Sequence, residues 1–266
     1  MIVFPNSKIN IGLNIVSKRN DGFHNIETIF YPIDLSDILE IIPSKQFDFI
    51  NSGILIDSVS EKNLCVRAYN ILRKDYDIEP VEILLHKMIP FGAGLGGGSS
   101  DAASVLLILN DSFKLNLSEN QLLNYASELG SDCSFFIKNK AIFAKGKGNE
   151  FEDINLDISE YQIHIVKSNI SVNTSKAYSH INPQKSKFDL RDINKLRIED
   201  WKYSIVNDFE KPIFKTYPEI KEIKNKFYEN GAIYASMSGS GSSVFGIFKE
   251  DINLEKEFDN CFYFRT

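Results

Sequence analysis

The chain has 266 residues, of which 43% are hydrophobic, 25% charged and 12% aromatic. This globular composition is long enough to bury a core, which excludes disorder, collagen and coiled coil as readings of the whole chain. A formal net charge of −6 and a pI near 5.4 argue against nucleic acid as a partner but not against a phosphorylated ligand, because backbone amides hold phosphate without net charge. Cys65, Cys133 and Cys261 are far apart with no CxxC pair, so neither a disulfide framework nor a zinc knuckle is expected. The first residues lack a basic and a long apolar region, and the densest apolar stretch, 102–109, is too short to cross a bilayer. A cytoplasmic protein without a membrane partner is expected.

Along the chain, Ile9, Ile11, Leu13 and Ile15 alternate with Lys8, Asn10, Gly12 and Asn14, which predicts a strand with one face on a core. The other face carries an amine and two amides, unusual for a surface that merely meets water. Asn20-Asp21-Gly22 supplies a turn, and a second strand follows over 26–31. Short β-like runs continue at 38–42, 47–50 and 53–56. A helix is predicted over 61–76, with Leu64, Ala68, Ile71 and Leu72 on one stripe, then a strand over 81–88. Ser99 or Ser100 can cap the next helix, with Asp101 in its first turn. Ser118 to Gln121 has the pattern of a capping box for a helix that runs to Leu129 and stops at Gly130. The acidic segment 151–159 reads as irregular and as a domain boundary. Strands are expected at 161–167, 233–237, 244–248 and, as an edge, 261–264, with a helix over 218–230 that ends at Gly231. Strands and helices mix without strict βαβ alternation, so α+β is favoured over a doubly wound sheet.

The strongest single signal is Pro90-Phe91-Gly92-Ala93-Gly94-Leu95-Gly96-Gly97-Gly98-Ser99-Ser100-Asp101. Glycines this dense cost backbone entropy. At a helix start they leave bare amides that can approach an anion, and the helix dipole adds to the attraction. Phosphate binding is the chemistry implied. Gly92, Gly94 and Gly97 satisfy GxGxxG, but the loop does not open a βαβ unit, which disfavours a nicotinamide-dependent oxidoreductase. A Walker loop needs a lysine after the glycines, and none follows. A plain hinge needs neither the serine pair nor a helix directly behind it.

The loop resembles the phosphate-binding motif of the GHMP kinases. Lys8-Ile9-Asn10-Ile11-Gly12-Leu13, Asp21-Gly22-Phe23-His24 with Glu27-Thr28, and Gly130-Ser131-Asp132 extend the likeness. So do Asn207-Asp208-Phe209-Glu210, Tyr217-Pro218-Glu219 and the late glycine loop, Met237-Ser238-Gly239-Ser240-Gly241. It runs from about residue 5 to about residue 248. The glycine loop marks only the superfamily. The 21–24 segment together with 130–132 points to the branch that phosphorylates the 2-hydroxyl of a cytidyl diphosphate methylerythritol in the non-mevalonate isoprenoid pathway.

The resemblance implies a two-lobed α+β fold, with an N-terminal nucleotide-binding domain over 1–154 and a C-terminal ferredoxin-like domain over 155–266. It implies ATP and Mg2+, a small-molecule acceptor, and no nucleic-acid or membrane partner; the metal ligands and the oligomeric state are not assigned. Pro90, Gly92, Gly94, Gly96, Gly97, Gly98, Ser99 and Ser100 would cradle the ATP phosphates. On the residues alone, Asp132 is more simply the cap of a short helix. The resemblance instead makes it the general base, with Lys8 beside it to keep it ionised and to offset charge on the transferring phosphoryl group. Asn10 would hold a substrate hydroxyl or phosphate, and His24 the edge of the cytosine. Phe23, where the family usually has tyrosine, would cover one face of that ring and Tyr178 the other. Asn63 lies where the family approaches the adenine. A different GHMP enzyme would not need Phe23, His24 and Tyr178, and a non-catalytic sensor on the same fold would have no use for a base.

Overall fold

In a computed structural model that describes residues 1–54, 62–179 and 181–266, the alternation over 8–15 becomes part of a long strand. In chain order, β1 (Ile2–Val3), β2 (Asn6–Lys18), β3 (His24–Ser36), β4 (Ile38–Pro43) and β5 (Asp48–Gly53) precede α1 (Leu64–Asp75) and β6 (Val81–Lys87). The helices α2 (Gly97–Ser112), α3 (Glu119–Leu129) and α4 (Cys133–Lys138) follow, then β7 (Ile142–Lys145), β8 (Glu150–Asp153) and β9 (Gln162–Lys167). The last part holds α5 (Thr174–Ser179), α6 (Trp201–Ser204), α7 (Glu210–Thr216), α8 (Pro218–Glu229), β10 (Tyr234–Met237), β11 (Ser243–Phe248) and β12 (Phe262–Arg265). The mixture is α+β, as expected.

The packing divides into two compact units that interleave along the chain. One comprises Met1–Ser7, Ile33–Phe91 and Gly96–Lys140; the other comprises Lys8–Pro32, Gly92–Leu95 and Ala141–Thr266. In the first, four strands in the order β1-β4-β6-β5 form a sheet whose β5–β6 pair is parallel. A parallel pair needs a crossover, and α1 lies between the two strands in sequence. Its apolar stripe, Cys65, Ala68, Tyr69 and Leu72, is buried with Leu39, Ile83 and Leu85 of the sheet and Val105, Leu106 and Leu109 of α2. Asn63 starts α1 by accepting the Cys65 amide at 2.8 Å. The capping box forms at α3: Ser118 Oγ accepts the Gln121 amide while Gln121 Oε1 accepts the Ser118 amide.

In the second unit, β2-β3-β7-β8 make one sheet and β10-β11-β9-β12 an antiparallel other, with β12 on its edge as predicted. Leu13 and Ile15 of β2 belong to the core built around Val166, Phe209, Phe227, Ala235 and Val244. The opposite face of β2 is buried too: Lys8 and Asn10 are 2% exposed and Asn14 is 3%. The polar alternation therefore marks an interior network and not a wetted surface.

Three expectations change. The helix after the glycine loop begins earlier than serine capping implies: Gly96, left-handed at φ +74°, takes the cap position, and Ser99 and Ser100 lie inside the first turn. Asp101 lies just past the first turn instead of in it, buried and ion-paired. Part of the irregular segment 151–159 is β8, an edge strand drawn into register by β7, with Lys145 and Glu152 paired between the two strands. Of the run expected at 53–56, Gly53 ends β5 and residues 55 and 56 lie outside the described residues, as does Glu61 at the start of the helix expected over 61–76.

Candidate active site

In the unit that contains Lys8, a polar network joins three distant stretches of sequence. Lys8 Nζ donates to Asn10 Oδ1 at 2.6 Å and to the Gly94 carbonyl at 2.9 Å, and it lies 5.1 Å from the centre of the Phe30 ring. Lys8 and Asn10 meet because residues two apart on a strand share a face. Asn10 Nδ2 donates to Thr28 Oγ1 on β3 at 2.9 Å, and Thr28 Oγ1 donates to the Gly12 carbonyl at 2.5 Å. Ser238 Oγ accepts the Asn10 amide at 3.2 Å and donates to the Gly94 carbonyl at 2.8 Å.

The two glycine loops thus touch. Gly94 needs its glycine twice over: its φ is +73°, and a Cβ would collide with the Ser238 carbonyl. Asn207 closes the late loop by donating Nδ2 to the carbonyls of Met237 at 2.7 Å and Gly239 at 2.8 Å, while its Oδ1 accepts the Phe209 amide. Thr28, Ser238 and Asn207 received no role in the sequence reading. All three stand in motifs that carried the resemblance, but their partners lie across the fold.

A second feature of this unit is a ring pair. His24 and Tyr178 stack with centroids 4.7 Å apart at an interplanar angle of 13°, and Phe209 meets Tyr178 in an edge-on arrangement at 4.8 Å. Burial, helped by the Lys18 charge, lowers the His24 pKa from its ordinary value, which favours neutral imidazole. Phe23 is 56% exposed and carries the Lys147 ammonium 5.2 Å from its ring centre. The structure therefore brings His24 and Tyr178 together as a stack, whereas Phe23 presents its ring to solvent beside a cation.

In the other unit, Gly96 to Ser100 form the start of α2. Gly97 packs so closely on Ile89 that a Cβ there would lie 2.8 Å from Ile89 Cγ2. Asp132 occupies the residue before α4 but makes no capping hydrogen bond with its side chain, so the simple capping role is not the one it fills. It is half-buried, one residue before the buried stretch Cys133 to Phe136. The next residue, Cys133, is buried, and burial raises its thiol to about 11.

Among the described residues, no group of three or more His, Cys, Asp or Glu could hold a metal ion. Also among the described residues, no helix is long and apolar enough to cross a membrane.

Residues 63–140 match the GHMP kinases N terminal domain and residues 187–261 the GHMP kinases C terminal domain. The 4-diphosphocytidyl-2-C-methyl-D-erythritol kinase of Parabacteroides distasonis is 49% identical to this chain, over 98% of it and 97% of the relative. The protein of that name from Azobacteroides pseudotrichonymphae is 53% identical, over 94% of each chain. A crystal structure of 4-(cytidine 5'-diphospho)-2C-methyl-D-erythritol kinase superposes with a TM-score of 0.81 at 31% identity, covering 93% of this chain and 90% of that one.

Proposed function

The chain belongs to the 4-diphosphocytidyl-2-C-methyl-D-erythritol kinases, within the GHMP kinases, and from that premise we propose that it transfers the γ-phosphoryl group of ATP to the 2-hydroxyl of that cytidyl diphosphate alcohol. The oxygen of the hydroxyl attacks the γ-phosphorus, the bond to the β–γ bridging oxygen breaks, and ADP leaves. The hydroxyl proton passes to Asp132. Positioning and electrostatics dominate such a transfer, because little covalent chemistry is left to the protein. A magnesium ion bound with ATP would neutralise phosphate charge.

The observation that carries this reading is the Lys8–Gly94 contact: a buried ammonium fastened to the carbonyl of the glycine loop. A cation held there by Asn10 and Gly94 has little freedom to move away, so it can offset charge on the transferring group without reorganising. Amides of the 92–100 loop and the start of α2 hold the phosphates, and Asn10 holds a polar group of the acceptor. The lowered pKa of His24 supports a neutral ring that can both donate and accept at the cytosine edge, with Tyr178 and Phe23 offering faces for stacking.

Phosphorus NMR of the protein with Mg-ATP and one alcohol at a time tests the reading. The panel is the cytidyl methylerythritol, mevalonate, homoserine and galactose. A new phosphomonoester with the first alone is expected; turnover of another instead would discard the acceptor while keeping the kinase. Asp132→Asn should lower kcat by about 10²–10⁴-fold with an unchanged melting temperature. Near wild-type turnover in that variant would remove the base assignment.

A further inference from the structure

One buried charge cluster has no part in the chemistry above. Asp37 lies just past the end of β3, Lys87 is the last residue of β6, and Asp101 sits one turn into α2; their exposures are 0%, 2% and 1%. Lys87 Nζ donates to Asp37 Oδ2 and, at 2.7 Å, to Asp101 Oδ2. Asp37 Oδ1 accepts the amides of Met88 at 2.6 Å and Ile89 at 2.8 Å, the residues that lead into the glycine loop. Ile89 in turn packs on Gly97, and Gly97 and Asp101, four apart, share one face of α2. The Lys87 ammonium also lies 5.7 Å from the centre of the Phe91 ring. One cation therefore fastens both the strand end that enters the loop and the helix turn that leaves it.

We propose that Asp101 is a positioning residue for the nucleotide phosphates, acting through Lys87 and Asp37 to hold the two ends of the glycine loop at a fixed separation. This rests on the reading of that loop as the seat of the ATP phosphates.

The charge count gives the cluster a second effect. Two carboxylates and one ammonium out of water would leave a net negative charge at the root of the loop, an expensive state in a low dielectric. Asp101 Oδ1 is buried without a hydrogen-bond partner, and both carboxyls share the Lys87 ammonium. Burial, reinforced by Asp37 and opposed by Lys87, pushes the Asp101 carboxyl up to about 8, so that it keeps a proton at neutral pH. Lys87 stays charged, because the two acids outweigh the effect of its burial. Cys65 of α1 and Cys133 of α4 are buried in the core of the same unit close enough for Cys65 to feel the three charges, and burial keeps both thiols protonated. Of these groups, Asp101 is the one that changes charge between pH 7 and 9. Its ionisation places a negative charge beneath the first turn of α2, where the helix dipole otherwise favours an anionic ligand.

The test is calorimetric binding of Mg-ADP and a magnesium-loaded non-hydrolysable ATP analogue to the full chain at pH 7 and 9, alongside the KM of the cytidyl acceptor. Wild type should bind nucleotide several-fold more weakly at pH 9. Asp101→Asn, which keeps the shape and fixes the neutral form, should match wild type at pH 7 and lose that pH dependence. Asp101→Leu should weaken nucleotide binding by about tenfold at pH 7, the scale of one lost charge-assisted hydrogen bond, and leave the acceptor KM unmoved. If the leucine variant does not fold, the asparagine variant decides. A wild type that binds no nucleotide overturns the reading of the loop itself. A wild type that binds normally while Asp101→Asn keeps the full pH dependence overturns the positioning role, as does a leucine variant that shifts both substrates equally.

Discussion

The Asp37–Lys87–Asp101 cluster and the His24–Tyr178 stack are built to opposite specifications. The cluster is sealed from water, joins three elements and fixes the backbone of Met88 and Ile89. The stack is two half-buried rings at 4.7 Å, with a third edge-on to one of them. Separating two stacked rings costs about 0.5–1.5 kcal/mol, whereas removing one partner from a buried ion cluster costs about 3–5 kcal/mol. The cluster is therefore set once, on folding, while the ring pair can open at little cost.

Lys87→Met is the severest way to break this contrast. It leaves the two buried acids without their cation and should lower unfolding free energy by about 3–5 kcal/mol in a urea titration; a loss near zero would mean that the cluster fastens nothing. The pH dependence of stability sharpens the same point. Asp101 titrates at about 8 in the fold, far above an ordinary carboxyl, so the folded state holds a proton that the unfolded chain releases near pH 4. Its contribution is present below about pH 4 and is lost as pH rises towards 8, and Asp101→Asn should flatten that decline.

His164 works in the opposite direction. Burial against Phe248 holds its imidazole down at about 4, so its contribution is present above the ordinary histidine value and is lost as pH falls towards 4. His164→Phe should remove that acid limb in thermal melts taken between pH 7 and 4.

His24→Ala should raise the KM for the cytidyl acceptor by up to about tenfold, the scale of one lost hydrogen bond at the cytosine edge, and leave that for ATP in place. Equal rises in both would merge the two regions into one. Lys147→Ala, which strips the cation from Phe23, is the mildest change, worth about 0.5–1 kcal/mol at an exposed ring and read as a few-fold shift in the same KM.

What the sequence disclosed about these regions follows from how local each signal is. The capping box at Ser118 is complete within four residues and forms as written. The aliphatic face of β2 is legible because its period repeats over eight residues. The cluster was not legible: Lys87 is 50 residues from Asp37 and 14 from Asp101, and charges so spaced read as solvated side chains. Strand β8 also escaped, because its residues are acidic and its extended form depends on β7. The serines after the glycine loop suggested a cap by residue type, but a left-handed glycine can hold that position, and Gly96 does. Among the candidate site residues, Lys8 and Asn10 were visible as a shared strand face. His24, Tyr178 and Asp132 were visible only through family resemblance, because nothing local to each says what it will meet.

The Gly94 carbonyl accepts hydrogen bonds from both Lys8 and Ser238. In a planar trans peptide the carbonyl and the following N–H point in opposite directions, so the Leu95 amide is aimed away from those two donors. A glycine-rich turn readily loses its orientation when one peptide plane rotates. Here that rotation would break two hydrogen bonds at once, so the peptide at the centre of the loop behaves as a latched hinge, set by the fold itself.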